Sequence, residues 1–184
     1  SLYAEKYYRI DQLYRHIHLL YRKGTNLERY EQLIERVTFW YENKYLITLA
    51  SYSDHMLETR LSKQWNIPNV MQQKNFYQHF IRPLLEATRE RIFVIISDAL
   101  RYEIGMELLE EFQQRLNTEV KIIPMQATLP TYTQLGMAAL LPGKITGIKE
   151  DGTIYVNDLS TKGLQNRNNI LQMHEVDSIA LKME

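Results

Sequence analysis

The sequence predicts an α/β fold in which an all-helical region precedes a partial α/β domain. Apolar residues recur every three or four positions through about residue 88, as they do along one face of a helix. A short β-branched and aromatic run follows at residues 92–96, and strand-like and helix-like patterns alternate after it. At 184 residues, with 45% hydrophobic and 24% charged side chains, the chain is long enough to bury a core of this kind.

The first region carries a helical stripe rich in tyrosine. Nine of the thirteen tyrosines lie within the first 52 residues, and we expect them to form the core and rim of a helical bundle rather than to stack on nucleic-acid bases. The segment Thr25-Asn26-Leu27-Glu28 predicts a capping box at the start of a second helix. Pro83 predicts a kink or a division in the last helix of the region. The first stripe comprises Tyr7, Ile10, Tyr14, Ile17 and Tyr21.

A β-α-β unit is predicted from residue 91 onward. The run Ile92–Ile96 has the length and composition of a strand that is covered on both faces, as in parallel sheets. A helical pattern follows over residues 104–117, and residues 119–124 supply a second strand. The crossover between two parallel strands is right-handed in nearly all folds, so we expect that hand here.

The remaining residues predict shorter elements. Residues 131–141 predict a helix that ends at Pro142-Gly143. Asp151-Gly152 predicts a hairpin with a two-residue turn. Residues 160–172 predict a short helix, and residues 178–183 predict a final strand.

Composition and charge exclude several classes of protein. Basic and acidic residues number 22 each, so no net field attracts nucleic acid or an anionic membrane. The apolar runs are too short for a membrane span, and we expect no membrane partner. The chain has no cysteine, which excludes disulfides and thiolate metal sites and suits the cytoplasm, where we expect the protein to reside. Because the chain starts without Met and ends inside an ordered pattern, we expect an internal fragment of a longer protein.

Two segments place oxygen ligands at the edge of the predicted sheet. Asp98 ends the first predicted strand, and residues 126–133 follow the second. Ligands of open α/β sheets collect beyond the carboxyl ends of the strands, so neighbouring strands would bring this carboxylate and the threonine hydroxyls to one rim. Such hard oxygen ligands suit a divalent cation, which also activates a hydroxyl for attack on a phosphoester. On spacing alone, a helix N-cap and an ordinary helix start are the favoured interpretation of the same residues.

Three ordered segments resemble the PglZ family, the phosphatase-like proteins of BREX phage-resistance systems within the alkaline phosphatase superfamily. They are VIISDALRYE (94–103), ATLPTYTQLGMAALLPG (127–143) and IYVNDLSTKGLQNRNNIL (154–171). The resemblance covers roughly residues 74–171. It implies that residues 1–88 form the helical region that precedes the catalytic domain, and that residues 89–184 form the first part of an alkaline-phosphatase-like α/β domain.

The resemblance also implies roles for individual residues. Asp98 stands where the superfamily has a metal ligand at the end of its first strand. Thr128, two positions before Pro130, stands where the superfamily has its nucleophile, and it is implied to share the metal. Thr131 and Thr133 are the alternatives for this role.

Two further features bear on the implied metal site. Arg101 stands where related members carry the Arg of an Asp-Gly-x-Arg pattern, and a structural or electrostatic role is expected, including a salt bridge to Glu103 or Glu107. Zinc is the implied metal, with manganese and magnesium as alternatives. The resemblance also implies further Asp and His ligands after the nucleophile, including an Asp-His pair. His174 is the only histidine after Thr128 and belongs to no such pair. We therefore expect the remaining ligands beyond residue 184 and an incomplete site in this chain.

The expected parent protein is a metal-dependent phosphoester hydrolase of a bacterial phage-defence system, with a threonine nucleophile. Its expected partners are a phosphoester substrate, with nucleic acid as one option, and other BREX proteins. The alternative is a non-catalytic scaffold or interaction module of the same system. A nucleotide-binding domain is disfavoured, because neither predicted strand is followed by a glycine-rich phosphate loop.

Overall fold

A computed structural model describes residues 2–24, 27–59 and 66–182 of the chain. The helices are α1 (Tyr8–Lys23), α2 (Leu27–Trp40), α3 (Ile47–Thr59), α4 (Arg82–Ala87), α5 (Tyr102–Arg115), α6 (Thr133–Ala139) and α7 (Leu164–Gln172). The strands are β1 (Met71–Gln72), β2 (Met125–Gln126), β3 (Ile145–Ile148), β4 (Ile154–Val156) and β5 (Leu159–Ser160). Helices lead the chain and small sheets follow, which confirms the predicted fold class. Among the described residues, no helix is both long and apolar enough to cross a membrane.

Packing divides the chain into two compact units. The first unit comprises Ser1–Trp65 and Ala99–Pro124, and the second comprises Asn66–Asp98 and Met125–Glu184. The division at residues 88 and 89 that the family resemblance implies stays a prediction.

The first unit is a bundle whose polar centre is one carboxylate. Asp11 on α1 accepts hydrogen bonds from the hydroxyls of Tyr3 (2.7 Å), Tyr41 (2.6 Å) and Tyr45 (3.2 Å). Burial, followed by the influence of Asp11, raises the pKa of each of these tyrosines above its ordinary value. Tyr41 and Tyr45 are buried, in agreement with the prediction that the tyrosines form the core of a bundle. Thr25 and Asn26 of the predicted capping box lie outside the described residues.

Helix α5 packs against α1 within this first unit. The Tyr102 ring meets the buried Tyr8 ring edge-on, with 5.6 Å between centroids. On the next turns of α1, Arg15 and His16 both contact the Glu107 carboxylate, with His16 Nε2 3.0 Å from Oε1. The predicted helix is therefore present, and Glu107, one of the two expected salt-bridge partners of Arg101, is paired with α1 instead.

In the second unit, the core lies between α6, α7 and an antiparallel sheet. The sheet has the order β3-β4-β5, and the two helices and the hairpin were predicted. The predicted two-residue turn is wrong by one residue: Lys149 and Thr153 close a three-residue loop, in which Gly152 has a φ of 77°. A glycine in this left-handed position is typical of three-residue hairpin loops. The buried residues of this core are Leu135, Ala138, Leu141, Ile154, Val156 and Ile170.

A second, parallel sheet joins β1 to β2. Met71 pairs with Met125 and Gln72 with Gln126, so the pairing begins one residue after the predicted strand 119–124 ends. After β1, a 3₁₀ turn (Gln73–Asn75) and a π-helical turn (Tyr77–Ile81) lead into α4. The predicted division at Pro83 is confirmed, because Pro83 lies in the first turn of α4, where its missing N–H leaves no helical hydrogen bond unmade.

Three strand predictions are wrong within the described residues. Residues 91–97 and 118–124 are irregular, and in the first of these segments Phe93 is 81% and Ile95 is 77% exposed. A β-branched run favours a strand, but a strand also needs a neighbour for its backbone groups, which a local pattern does not supply. Residues 178–182 are also irregular, and the Asn168 side chain forms two hydrogen bonds with the backbone of Ala180.

Candidate functional site

Asp98 lies at an exposed turn that follows residues 91–97. Its carboxylate accepts a hydrogen bond from the Thr133 hydroxyl, whose Oγ1 is 3.1 Å from Oδ2 and 3.4 Å from Oδ1. Thr133 is the first residue of α6, and the loop 127–132 runs directly into it. The hydrogen bond therefore brings together the two sequence segments that were predicted to share a rim.

The residue after Asp98 has an unusual backbone conformation. Ala99 has a φ of 55°, in the left-handed region that a Cβ disfavours by roughly 1–2 kcal/mol. Backbone strain of this kind clusters at active sites and ligand clamps. A glycine would adopt the same turn without that cost, which matches the Asp-Gly-x-Arg pattern of related members.

Thr128 lies in the loop between β2 and α6. It is half-buried, and its backbone N–H donates a hydrogen bond to Oε1 of Gln73 at 3.2 Å. The peptide bond between Leu129 and Pro130 in this loop is cis. The nucleophilic role of Thr128 and its place on a metal stay predictions.

The two alternatives to Thr128 differ in their surroundings. The Thr133 hydroxyl contacts the carboxylate of Asp98, as described above, whereas Thr131 is an exposed residue of the loop. Thr133 is itself exposed, so its hydroxyl is open to a ligand as well as to the carboxylate. The geometry therefore gives Thr133 a defined function as the donor that orients Asp98.

Two glutamines at the ends of the parallel strands hold nearby backbone, Gln73 at this loop and Gln126 at Ile67, and the sequence alone gave no signal for either. Gln73 accepts from the Thr128 N–H and donates from Nε2 to the Gly136 carbonyl at 3.2 Å. Gln126 is only 4% exposed, and its Oε1 accepts from the Ile67 N–H at 2.7 Å. Within the described residues, Nε2 of Gln126 has no hydrogen-bond partner. The orientation of that amide is nevertheless defined, because a flipped amide would turn a donor toward the Ile67 N–H.

Arg101 and His174 have local structural settings. Arg101 is exposed and is the N-cap residue of α5, where its backbone carbonyl accepts from the N–H groups of Ile104 and Gly105. His174 follows α7 and packs edge-on against the buried Tyr77 ring at 6.3 Å, beside a polar cavity of about 390 Å³. Burial raises the pKa of the Tyr77 phenol, and the nearby Glu175 carboxylate adds to this shift.

The donor set around Asp98 fits one side of a divalent metal site. An exposed carboxylate beside a threonine hydroxyl offers hard oxygen atoms, which Mg²⁺ and Mn²⁺ favour and Zn²⁺ also accepts. Over residues 2–24, 27–59 and 66–182, however, no three His, Cys, Asp or Glu side chains converge on one point that could hold a metal ion. The described residues thus supply some of the ligands of a metal site but not a complete set.

Comparison with known families gives this site a context. Residues 76–184, more than half of the chain, match the family described as the BREX system PglZ alkaline phosphatase-like domain. The chain belongs to the PglZ family. Membership confirms the resemblance found in the sequence, and it agrees with an alkaline-phosphatase-like α/β domain preceded by helices.

Two curated relatives extend the similarity over nearly the whole chain. The Alkaline phosphatase-like protein PglZ of Bacillus cereus (strain H3081.97) is 37% identical over 180 residues, which cover 98% of this chain and 21% of the relative. The Alkaline phosphatase-like protein BrxZ of Escherichia coli O9:H4 (strain HS) is 35% identical over 188 residues, which cover 98% of this chain and 22% of the relative. The chain therefore spans about a fifth of the length of these relatives. No solved structure matches it significantly.

Proposed function

We propose that this chain carries the nucleophile of a metal-dependent phosphoester hydrolase of the PglZ family. Thr128 is the nucleophile, and Asp98 and Thr128 are ligands of one divalent cation, expected to be zinc. The observation that supports this proposal is the hydrogen bond from Thr133 to Asp98, which holds the carboxylate at the start of α6, the helix that the loop of Thr128 runs into. A carboxylate placed only as a cap of its own helix would have no reason to meet α6.

The proposed reaction proceeds in two displacements. Thr128 Oγ gives up its proton and forms a bond to phosphorus while the ester P–O bond breaks, and the leaving alcohol takes up a proton. Water then attacks the phosphorylated Thr128, which restores the hydroxyl and releases phosphate from a monoester substrate or a phosphate monoester from a diester substrate. The cation, when bound, lowers the pKa of the attacking hydroxyl and offsets charge on the phosphoryl oxygens.

The residues of the chain prepare this chemistry before any substrate binds. Thr133 donates its hydroxyl to the Asp98 carboxylate, and a hydrogen bond of this kind orients a carboxylate that binds a metal. The exposure of Asp98 and Thr133 keeps the site open to a substrate from solvent. Because the described residues supply only part of a metal site, further ligands have to come from elsewhere in a full-length protein that carries this sequence.

The test is hydrolysis by such a full-length protein, purified and supplied in turn with Zn²⁺, Mn²⁺ or Mg²⁺. p-Nitrophenyl phosphate and bis(p-nitrophenyl) phosphate report monoesterase and diesterase activity. Thr128→Ala should lower kcat at least about 1,000-fold, and Thr128→Ser, which keeps a hydroxyl, should retain part of the activity. Thr131→Ala is the matched control and should stay near wild type.

Three results would contradict parts of the proposal. Equal activity of wild type and Thr128→Ala would remove Thr128 as the nucleophile. Thr133→Ser keeps the hydroxyl that donates to Asp98, so a loss of activity in this variant would contradict the role of Thr133 as that donor. A wild-type protein that hydrolyses neither substrate with any of the three metals would remove the hydrolase proposal itself.

A scaffold role is the second candidate, and exposed apolar side chains on the first unit favour it. Leu13 and Leu20 on α1 are 66% and 69% exposed, and Phe39 and Trp40 on α2 are 60% and 50% exposed. Contiguous patches of exposed apolar side chains mark protein interfaces, and we propose that these four residues belong to one. In this proposal the partners are other BREX proteins in the cytoplasm. Co-purification of such a partner that is lost on Leu20→Glu but kept in Thr128→Ala would support the scaffold role.

A further inference from the structure

The side chain of Gln73 joins the loop of Thr128 to helix α6. Its Oε1 accepts from the Thr128 N–H at 3.2 Å, and its Nε2 donates to the Gly136 carbonyl at 3.2 Å. A Cβ built on Gly136 would lie 3.5 Å from the same Nε2, so the amide group rests directly on the helix surface. One primary amide thus spans the loop and the first turns of the helix that begins at Thr133.

The parallel pairing of β1 and β2 explains how Gln73 reaches this loop. Gln72 is paired with Gln126, so the two strands end side by side and the chain leaves both at the same edge. Gln73 is the first residue after β1, and Thr128 is the second after β2. The carboxyl ends of parallel strands form the rim where α/β proteins bind ligands, and Gln73 belongs to that rim.

We infer that Gln73 is a positioning residue for Thr128, an inference that rests on the proposed function. A hydrogen bond to the backbone N–H fixes the position of the residue that carries the nucleophile, and the second bond ties that position to α6. Thr133 begins α6 and orients Asp98, so Gln73 couples the proposed nucleophile to the proposed metal ligand. An amide suits this function because it offers an acceptor and a donor on one planar group.

The expected loss of kcat on replacement of Gln73 can be judged from how strongly reaction rates depend on the position of the nucleophile. A nucleophile displaced by about 1 Å costs roughly 100-fold in rate. Because Gln73 holds the backbone and touches no reacting atom, its loss should lower kcat by about 10- to 100-fold and change KM by less than about threefold.

Hydrogen exchange on the 184-residue chain tests the structural half of this inference without any activity. Gln73→Met removes both hydrogen bonds at similar volume, and protection of the Thr128 amide should fall at least about tenfold. Gln172→Met is the matched control, since Gln172 also donates from Nε2 to a backbone carbonyl, that of Ser178 at 3.2 Å. Unchanged Thr128 protection in Gln73→Met, or an equal loss in the control, would overturn the inference.

Kinetics of the full-length protein test the functional half. Gln73→Glu keeps an acceptor for the Thr128 N–H but loses the donor to Gly136, so its kcat should lie between those of wild type and Gln73→Met. Thermal unfolding measured in parallel separates positioning from stability. A kcat within twofold of wild type in Gln73→Met, or a loss that merely follows the fall in Tm, would contradict a positioning role.

The two proposals fail in different ways. An inactive wild-type protein would remove the hydrolase proposal and, with it, the positioning role of Gln73, even if the exchange experiment confirmed the hydrogen bond. An active wild type whose rate is lost in Thr128→Ala but not in Gln73→Met would remove only the role of Gln73. If Gln73→Met does not fold, the kcat of Gln73→Glu decides, and a value equal to wild type overturns the inference.

Discussion

The carboxylate of Asp11 is expected to be a main source of stability in the first unit. Three phenol hydroxyls donate to it, from Tyr3, Tyr41 and Tyr45, at distances of 2.6 to 3.2 Å. A hydrogen bond to a charged group contributes about 1.5–3 kcal/mol, and removing the acceptor leaves the donors unsatisfied. Because Asp11 is only half-buried, its contribution to the free energy of unfolding should be smaller than the sum of three such bonds. Asp11→Leu should then lower the free energy of unfolding by about 3 kcal/mol.

Asp11→Asn gives a graded test of the same cluster. It keeps one carbonyl oxygen as an acceptor but loses the charge and the second oxygen, so about half of the loss, roughly 1.5 kcal/mol, is expected. Urea denaturation followed by circular dichroism measures both variants. Asp54→Asn, on an exposed position of α3, is the control and should change stability by less than about 0.5 kcal/mol. If Asp11→Asn and Asp54→Asn are equally stable, the cluster does not stabilise the unit as argued.

The remaining predictions concern pH, the candidate site and a turn. The three tyrosines that share Asp11 have raised pKa values in the folded chain, so the unfolded chain loses its phenol protons at lower pH than the folded chain does. Their contribution to the free energy of unfolding should therefore be complete below about pH 10 and fall as the pH rises above it. Absorbance at 295 nm, which reports phenol ionisation, and circular dichroism, which reports unfolding, check this in one titration. Thr133→Val removes the donor to Asp98 and should weaken binding of Zn²⁺ or Mn²⁺ to the full-length protein by about 10- to 100-fold in calorimetry, with unchanged affinity as the contrary result. Gly143→Ala should lower stability by about 3 kcal/mol, because its φ is 119° and a Cβ would approach a neighbouring side chain to 2.5 Å. Gly147→Ala meets no atom within 4 Å and should be tolerated in the same urea experiment.

The sequence predicted those elements whose signals are local. Helix α6 follows from apolar spacing, although it ends at Ala139, three residues before the predicted terminator Pro142-Gly143. The hairpin follows from Asp151-Gly152. The 126–133 segment meets Asp98 as expected, through the Thr133 hydroxyl, but the expectation rested on two neighbouring strands, and residues 92–96 and 119–124 are irregular. Local patterns were sufficient for elements whose own residues carry the signal.

The features that escaped prediction depend on distant partners. The run Ile92–Ile96 has the composition of a strand, but strand formation depends on a neighbour that its own residues do not specify. The pairing of Met71-Gln72 with Met125-Gln126 is only two residues long on each side, too short to show a period of two. Gln73 could not be recognised for the same reason, since an isolated glutamine acquires its function only when the parallel pair brings Thr128 beside it.

The exposed apolar side chains at residues 93–96 affect experiments on Asp98. Short β-branched, uncharged windows without proline favour intermolecular cross-β association, and flanking charges act as gatekeepers against it. Arg91 and Asp98 are the charges that flank the uncharged stretch IFVIIS (92–97) in this chain. Asp98→Ala, the natural variant for probing the metal site, would therefore also remove a gatekeeper, and aggregation could imitate a loss of function. The soluble fraction of each Asp98 variant, measured by light scattering, belongs beside every activity or metal-binding value.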